Sequence, residues 1–83
     1  MFRVTTISRF DGRATTKQFR TAKEANEIFD HLTQTDNRTF YLFAVIGELK
    51  GTDYTGQIFE VMAKFDGGQV AEYLNGKPTG RVR

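Results

Sequence analysis

The sequence predicts an α+β fold: a single antiparallel sheet of five strands, with residues to spare for a sixth, and one helix packed on one face, in the order β-β-α-β-β-β. Three observations predict it. Short runs rich in β-branched and aromatic residues are separated by Asp-Gly and Asn-Gly pairs, a hairpin signature. Only the stretch from Thr21 to Thr33 carries apolar residues at helical spacing. A chain of 83 residues with no linker-like segment has material for one core, so residues 1–83 read as a single domain.

The run from Phe2 to Phe10, "FRVTTISRF", reads as the first strand. Asp11-Gly12 suits a two-residue type I′ turn, in which both central residues need φ > 0, and Arg13 to Phe19 returns as the second strand. That loop sets Val4 opposite Phe19, Thr6 opposite Lys17 and Ser8 opposite Thr15. Only the Val4/Phe19 end is apolar enough for a core, so the basic tip is expected to project beyond it. Thr21-Ala-Lys-Glu24 is a capping box, and Ala22, Ala25, Ile28, Phe29 and Leu32 make the apolar stripe of the helix that follows.

Arg38 to Ile46 is the most apolar run and reads as the central strand. Alternation puts Phe40, Leu42, Ala44 and Ile46 on one face and Tyr41, Phe43 and Val45 on the other. Residues 50–56 read as a loop. Gln57 to Phe65 reads as a strand with Phe59, Val61, Ala63 and Phe65 on one face and Ile58, Glu60, Met62 and Lys64 on the other. Asp66-Gly67-Gly68 turns the chain into a strand from Val70 to Leu74, through a loop of two or three residues. Asn75-Gly76 marks another turn, and 77–83 forms a basic tail or a short edge strand, where Pro78 is tolerated. Phe-Asp-Gly thus occurs twice, at 10–12 and 65–67, and both copies read as hairpin closures.

The net charge is +2, unevenly spread. Residues 1–24 hold six basic and two acidic residues (+4), 25–63 two and six (−4), and 64–83 four and two (+2). Such a molecule steers its basic end toward an anionic partner. No apolar run is long enough to cross a membrane as a helix, and the N-terminus shows no signal-peptide core. Cysteine is absent, which excludes disulfides and thiol catalysis and suits a reducing cytoplasm.

Chemistry-bearing patterns are few. His31 is the only histidine, flanked by Asp30 on a helix, and Ser8, the only serine, belongs to another element, so no nucleophilic triad is expected. The carboxylates are dispersed and offer no metal-binding loop. Gly51-Thr-Asp-Tyr-Thr-Gly56 begins like a phosphate-binding loop, but Gln57 and Ile58 stand where Lys and Ser or Thr are required. The expectation is a protein that is not an enzyme and takes no cofactor, metal or small-molecule substrate.

Two features exceed what folding needs. One helix can cover only one side of a sheet, so Tyr41, Phe43 and Val45, joined by Ile58 and Met62, are expected on a bare apolar face of the kind that marks an interaction surface. The hairpin tip gathers Arg9, Phe10, Arg13 and Lys17, cations with an interleaved aromatic. Together these predict a non-catalytic module that docks on a larger protein, or on a second copy of itself, through the sheet face and the basic hairpin. The alternative is a nucleic-acid binder using the hairpin and stacking on Tyr41 and Phe43.

Tyr41 and Phe43, at alternate positions on the central strand, resemble the aromatic pair of the RNA-recognition motif. That family's basic-Gly-aromatic pattern and β-α-β-β-α-β order are not found here, so none of its residues is carried over. In size, lack of cysteine and single-helix plan the chain resembles small virus-encoded accessory proteins, which implies a phage-type inhibitor of a host enzyme working in the host cytoplasm.

Overall fold

The computed structural model describes residues 1–83. Strands β1 (Phe2–Ser8) and β2 (Ala14–Phe19) precede helix α1 (Ala22–Leu32) and a 3₁₀ turn (Arg38–Phe40). Strands β3 (Tyr41–Asp53), β4 (Gly56–Asp66), β5 (Gln69–Leu74) and β6 (Lys77–Val82) follow. All six strands form one sheet in the order β2-β1-β3-β4-β5-β6, with every pair antiparallel. The α+β plan expected from the sequence is the observed one, and residues 77–82 supply the sixth strand at an edge. No helix is long and apolar enough to cross a membrane.

Helix α1 starts where the capping box places it. The Thr21 hydroxyl accepts from the Glu24 amide at 3.2 Å and donates to the Glu24 carboxylate at 3.0 Å. At the other end, orphan carbonyls find side-chain donors: Asn37 donates to the His31 carbonyl and Arg38 to that of Thr33, both at 2.7 Å. Ala25 and Phe29 face the sheet and pack with Val4, Ala44, Ile46, Ala63, Phe65 and Val70 in one buried cluster. Burying a side chain the size of Phe29 is worth about 1.5–3 kcal/mol. The alanines at 25, 44 and 63 bring helix and sheet close together. Only 10 of 83 residues are buried, because this single layer of contact is the whole core.

Three expectations are corrected. In the first hairpin Ser8, not Phe10, lies opposite Arg13, and Val4 pairs with Lys17, Thr6 with Thr15 and Phe2 with Phe19. The cause is a wider loop over 9–12. The Asp11 carboxylate accepts from the Arg13 amide at 3.0 Å and the Ser8 hydroxyl from the Phe10 amide at 3.2 Å, stabilising local turns that a two-residue loop does not contain. The slip is two residues, so every side chain keeps its face. By contrast, the second Phe-Asp-Gly closes a two-residue turn at Gly67-Gly68, both with positive φ (62° and 81°), and Asp66 pairs with Gln69.

Residues 50–56 form no loop. They continue β3 and β4 as a ribbon closed by Tyr54 and Thr55 alone. The Asp53 carboxylate accepts from the Thr55 hydroxyl and amide, which organises the turn and holds that carboxyl below its ordinary range.

The third correction concerns faces. β3 and β4 carry three irregularities that each insert one residue: Leu42 between the Ile7–Phe43 and Ser8–Tyr41 pairs, Met62 between the Ile46–Ala63 and Gly47–Val61 pairs, and Lys50 between the Leu49–Phe59 and Gly51–Ile58 pairs. An inserted residue reverses the alternation beyond it. Tyr41 therefore turns to the helix side and packs against the core, as does Met62. Phe40 and Leu42 remain about half-exposed, and Phe59 and Val61 move away from the face of Ala63 and Phe65.

Candidate functional site

The face opposite α1 is built by alternation along four strands. Val4 faces the helix, so Arg3, Thr5 and Ile7 of β1 face away. Their cross-strand partners on β3 are Gly47, Val45 and Phe43, and Leu49 continues the row. On β4, Val61 lies opposite Gly47, Phe59 opposite Leu49 and Lys64 opposite Val45; on β5, Ala71 lies opposite Lys64, with Tyr73 two residues on. No element packs over them. The apolar members are half-buried, shielded only by their neighbours within the sheet.

Two cations lie among the rings. The Arg3 guanidinium sits 3.9 Å from the centre of the Phe59 ring. The Lys64 ammonium lies 6.0 Å from the Phe43 ring and 5.8 Å from the Tyr73 ring. Each such contact is worth about 0.5–1 kcal/mol at an exposed site. Gly47 makes the first one reachable. It stands directly between Arg3 on β1 and Val61 on β4, and with no side chain there Arg3 crosses β3 to reach Phe59. A Cβ at Gly47 would also meet the Glu60 carbonyl oxygen at 3.1 Å, tighter than ordinary packing.

Of the residues singled out from the sequence, Phe43 and Val45 lie on this face. Tyr41, Arg13 and Lys17 lie on the other side of the sheet, beside α1, and line a groove with Ile28 and Leu32. Arg9 and Phe10 stay exposed at the hairpin tip, where Phe10 rests against Phe40 with ring centres 5.9 Å apart. The expected stacking pair of Tyr41 and Phe43 is thus split between two faces. Ile58 is exposed at the base of the ribbon rather than on the patch.

Arg3, Ile7, Leu49, Phe59, Val61, Lys64 and Tyr73 are the members that sequence reasoning missed. For Phe59 and Val61 the signal was present but pointed to the wrong side, because alternation was carried unbroken through Met62. No three His, Asp or Glu side chains gather closely enough to hold a metal ion. No family model matches the chain, and neither curated proteins nor solved structures give a match.

Proposed function

We propose that the chain is a non-catalytic binding module that docks on a larger protein through the open sheet face. The observation that carries this is the row of partly exposed side chains, Ile7, Phe43, Val45, Phe59, Val61 and Tyr73, on a sheet side that nothing in the chain covers. Arg3 and Lys64 lie within it, while Asp66, opposite Phe43, is the acid at its margin. A partner surface offering apolar groups and carboxylates complements this pattern better than a second copy, which would face Arg3 and Lys64 with like charges. The cations of the hairpin speed encounter with an acidic partner from outside the contact. A small inhibitor of a cytoplasmic host enzyme is one form such a module takes, and the absence of cysteine is in keeping with it.

A specific observation favours one second reading. Cations alternating with exposed rings suit stacked bases and phosphates, so single-stranded nucleic acid is the alternative ligand of the same face.

The test pairs affinity capture with sizing of the purified chain. Phe43→Asp is expected to keep the circular-dichroism spectrum of the parent and to weaken capture of its protein partner about 30-fold or more, as loss of a central anchor does. Undiminished capture by this variant contradicts the docking face. Nucleic acid retained at low salt, and released steeply as salt rises, supports the alternative. A concentration-dependent dimer abolished by the same variant assigns the face to self-association.

A further inference from the structure

The other side of the sheet holds a groove that the docking surface does not use. Helix α1 lies over Val4, Ala44 and Ile46 and leaves the β2 residues from Ala14 to Gln18 exposed. Between the flank of α1 and the overhanging β1–β2 hairpin runs an open groove of about 460 Å³. That volume falls within the range of small-molecule sites, about 300–1,000 Å³. Part of its lining is apolar: Val4 is buried, Leu32 and Tyr41 are half-buried, and Ile28 turns a partly exposed side chain toward it.

The groove's wall on β2 is basic. Arg13, Thr15 and Lys17 alternate along one face of the strand, so the two long side chains flank Thr15 and can converge above it. Lys17 makes no ion pair, and Arg13 meets only Asp11, at 3.9 Å between two largely exposed side chains, a contact worth little. His31 on α1 adds to the polar rim, Thr6 and Ser8 line the floor along β1 beside Val4, and Asp11 is the only carboxylate of the lining. An apolar trough edged by two weakly committed cations suits a ligand with an apolar body and one negative head.

We propose that this groove is a binding site for a small amphipathic anion, a carboxylate or sulfonate carried on an aromatic or short aliphatic body. The body lies on Val4, Ile28, Leu32 and Tyr41, and the head is held by Lys17 and Arg13 through charge-assisted hydrogen bonds. The site is separate from the docking face: Tyr41 and Phe43, two residues apart, belong to opposite sides of the sheet.

The probe is 8-anilinonaphthalene-1-sulfonate, followed by fluorescence and by amide chemical shifts of the labelled protein. N-phenyl-1-naphthylamine supplies the same body without the charge. The expected result is saturable binding that shifts the amides of Val4, Thr6, Thr15, Lys17, Ile28 and Leu32, with the neutral analogue about tenfold weaker or worse. The double variant Arg13→Glu, Lys17→Glu loses at least about tenfold in affinity, while Phe43→Asp binds as the parent does. Three results each overturn the proposal: shifts confined to Val45, Val61 and Tyr73, equal binding of the neutral analogue, or affinity untouched by the charge reversal. Because β2 is an exposed edge, the double variant is expected to fold; unchanged amide dispersion in the absence of probe verifies that.

Discussion

On one side of β3, Ala44 and Ile46 are wholly enclosed beneath α1; on the other, Phe43 and Val45, one residue along, stay only half-buried. The two sides are similarly apolar but differently protected. The helix side excludes water with a second layer of chain. The open side has only its own cations, Arg3 over Phe59 and Lys64 beside Phe43 and Tyr73. The lesson is that a small chain can keep an aromatic surface available without hiding it, by letting long basic side chains lie across the rings. Their stems cover apolar area while their heads stay wet, and a partner with carboxylates can draw them aside.

This contrast sets an order of mutational effects. The largest belongs to the helix side. Phe29→Ala removes a fully buried ring and is expected to destabilise the protein by about 3–5 kcal/mol, read as a shift of the urea midpoint. If the loss is no larger than for an exposed ring, α1 is not the lid of the core. Next comes Gly47→Val. Its new side chain meets the Glu60 carbonyl and stands in the path of Arg3, so about 1–3 kcal/mol should be lost. Phe43→Asp should cost less, about 1–2 kcal/mol in the same assay, since its ring is only partly buried. A loss equal to that of Phe29→Ala would mean that the open face is as much core as the covered one.

Smaller effects sharpen the account of the cations. Arg3→Ala should lower stability by about 0.5–1 kcal/mol and, by baring Phe59, raise the tendency to self-associate at high concentration. The ribbon tip gives the least. The Asp53 carboxyl is held low in the folded chain by Thr55, so its stabilising contribution is present above the unfolded carboxyl range and fades as pH falls through the folded value. Asp53→Asn should flatten the acid limb of the stability profile, with a small loss of stability near neutrality that vanishes at low pH. A variant that alters stability equally at pH 3 and pH 7 would show that the ionised carboxylate is not the cause.

Much of the architecture was legible because its signals are local. The Thr21–Glu24 capping box and the apolar stripe through Ala25 and Phe29 each specify a nearby conformation whose physical cause is contained in a few residues, and the glycines after Asp66 mark a turn, though not its length. The candidate site was legible only in part, and the reason is equally physical. Alternation assigns faces correctly until one residue is inserted, and the insertions at Leu42 and Met62 depend on pairing between distant strands. Phe43 and Val45, which lie on β3 between the insertion at Leu42 and the pairing shift opposite Met62, were placed correctly. Tyr41 lies beyond one and was not, and Phe59 and Val61 lie beyond the other. Arg3 became part of the site through the missing side chain of Gly47, a relation between two strands that neither one announces.

The most direct measurement of the contrast between faces is paramagnetic relaxation of side-chain methyls by a soluble gadolinium chelate, on dilute monomeric protein. The account predicts strong relaxation of Ile7, Val45 and Val61, and weak relaxation of Val4, Ile46 and Val70. Equal protection of both sets would mean that the supposedly bare side is enclosed, and would contradict the claim that this sheet keeps one face open for a partner.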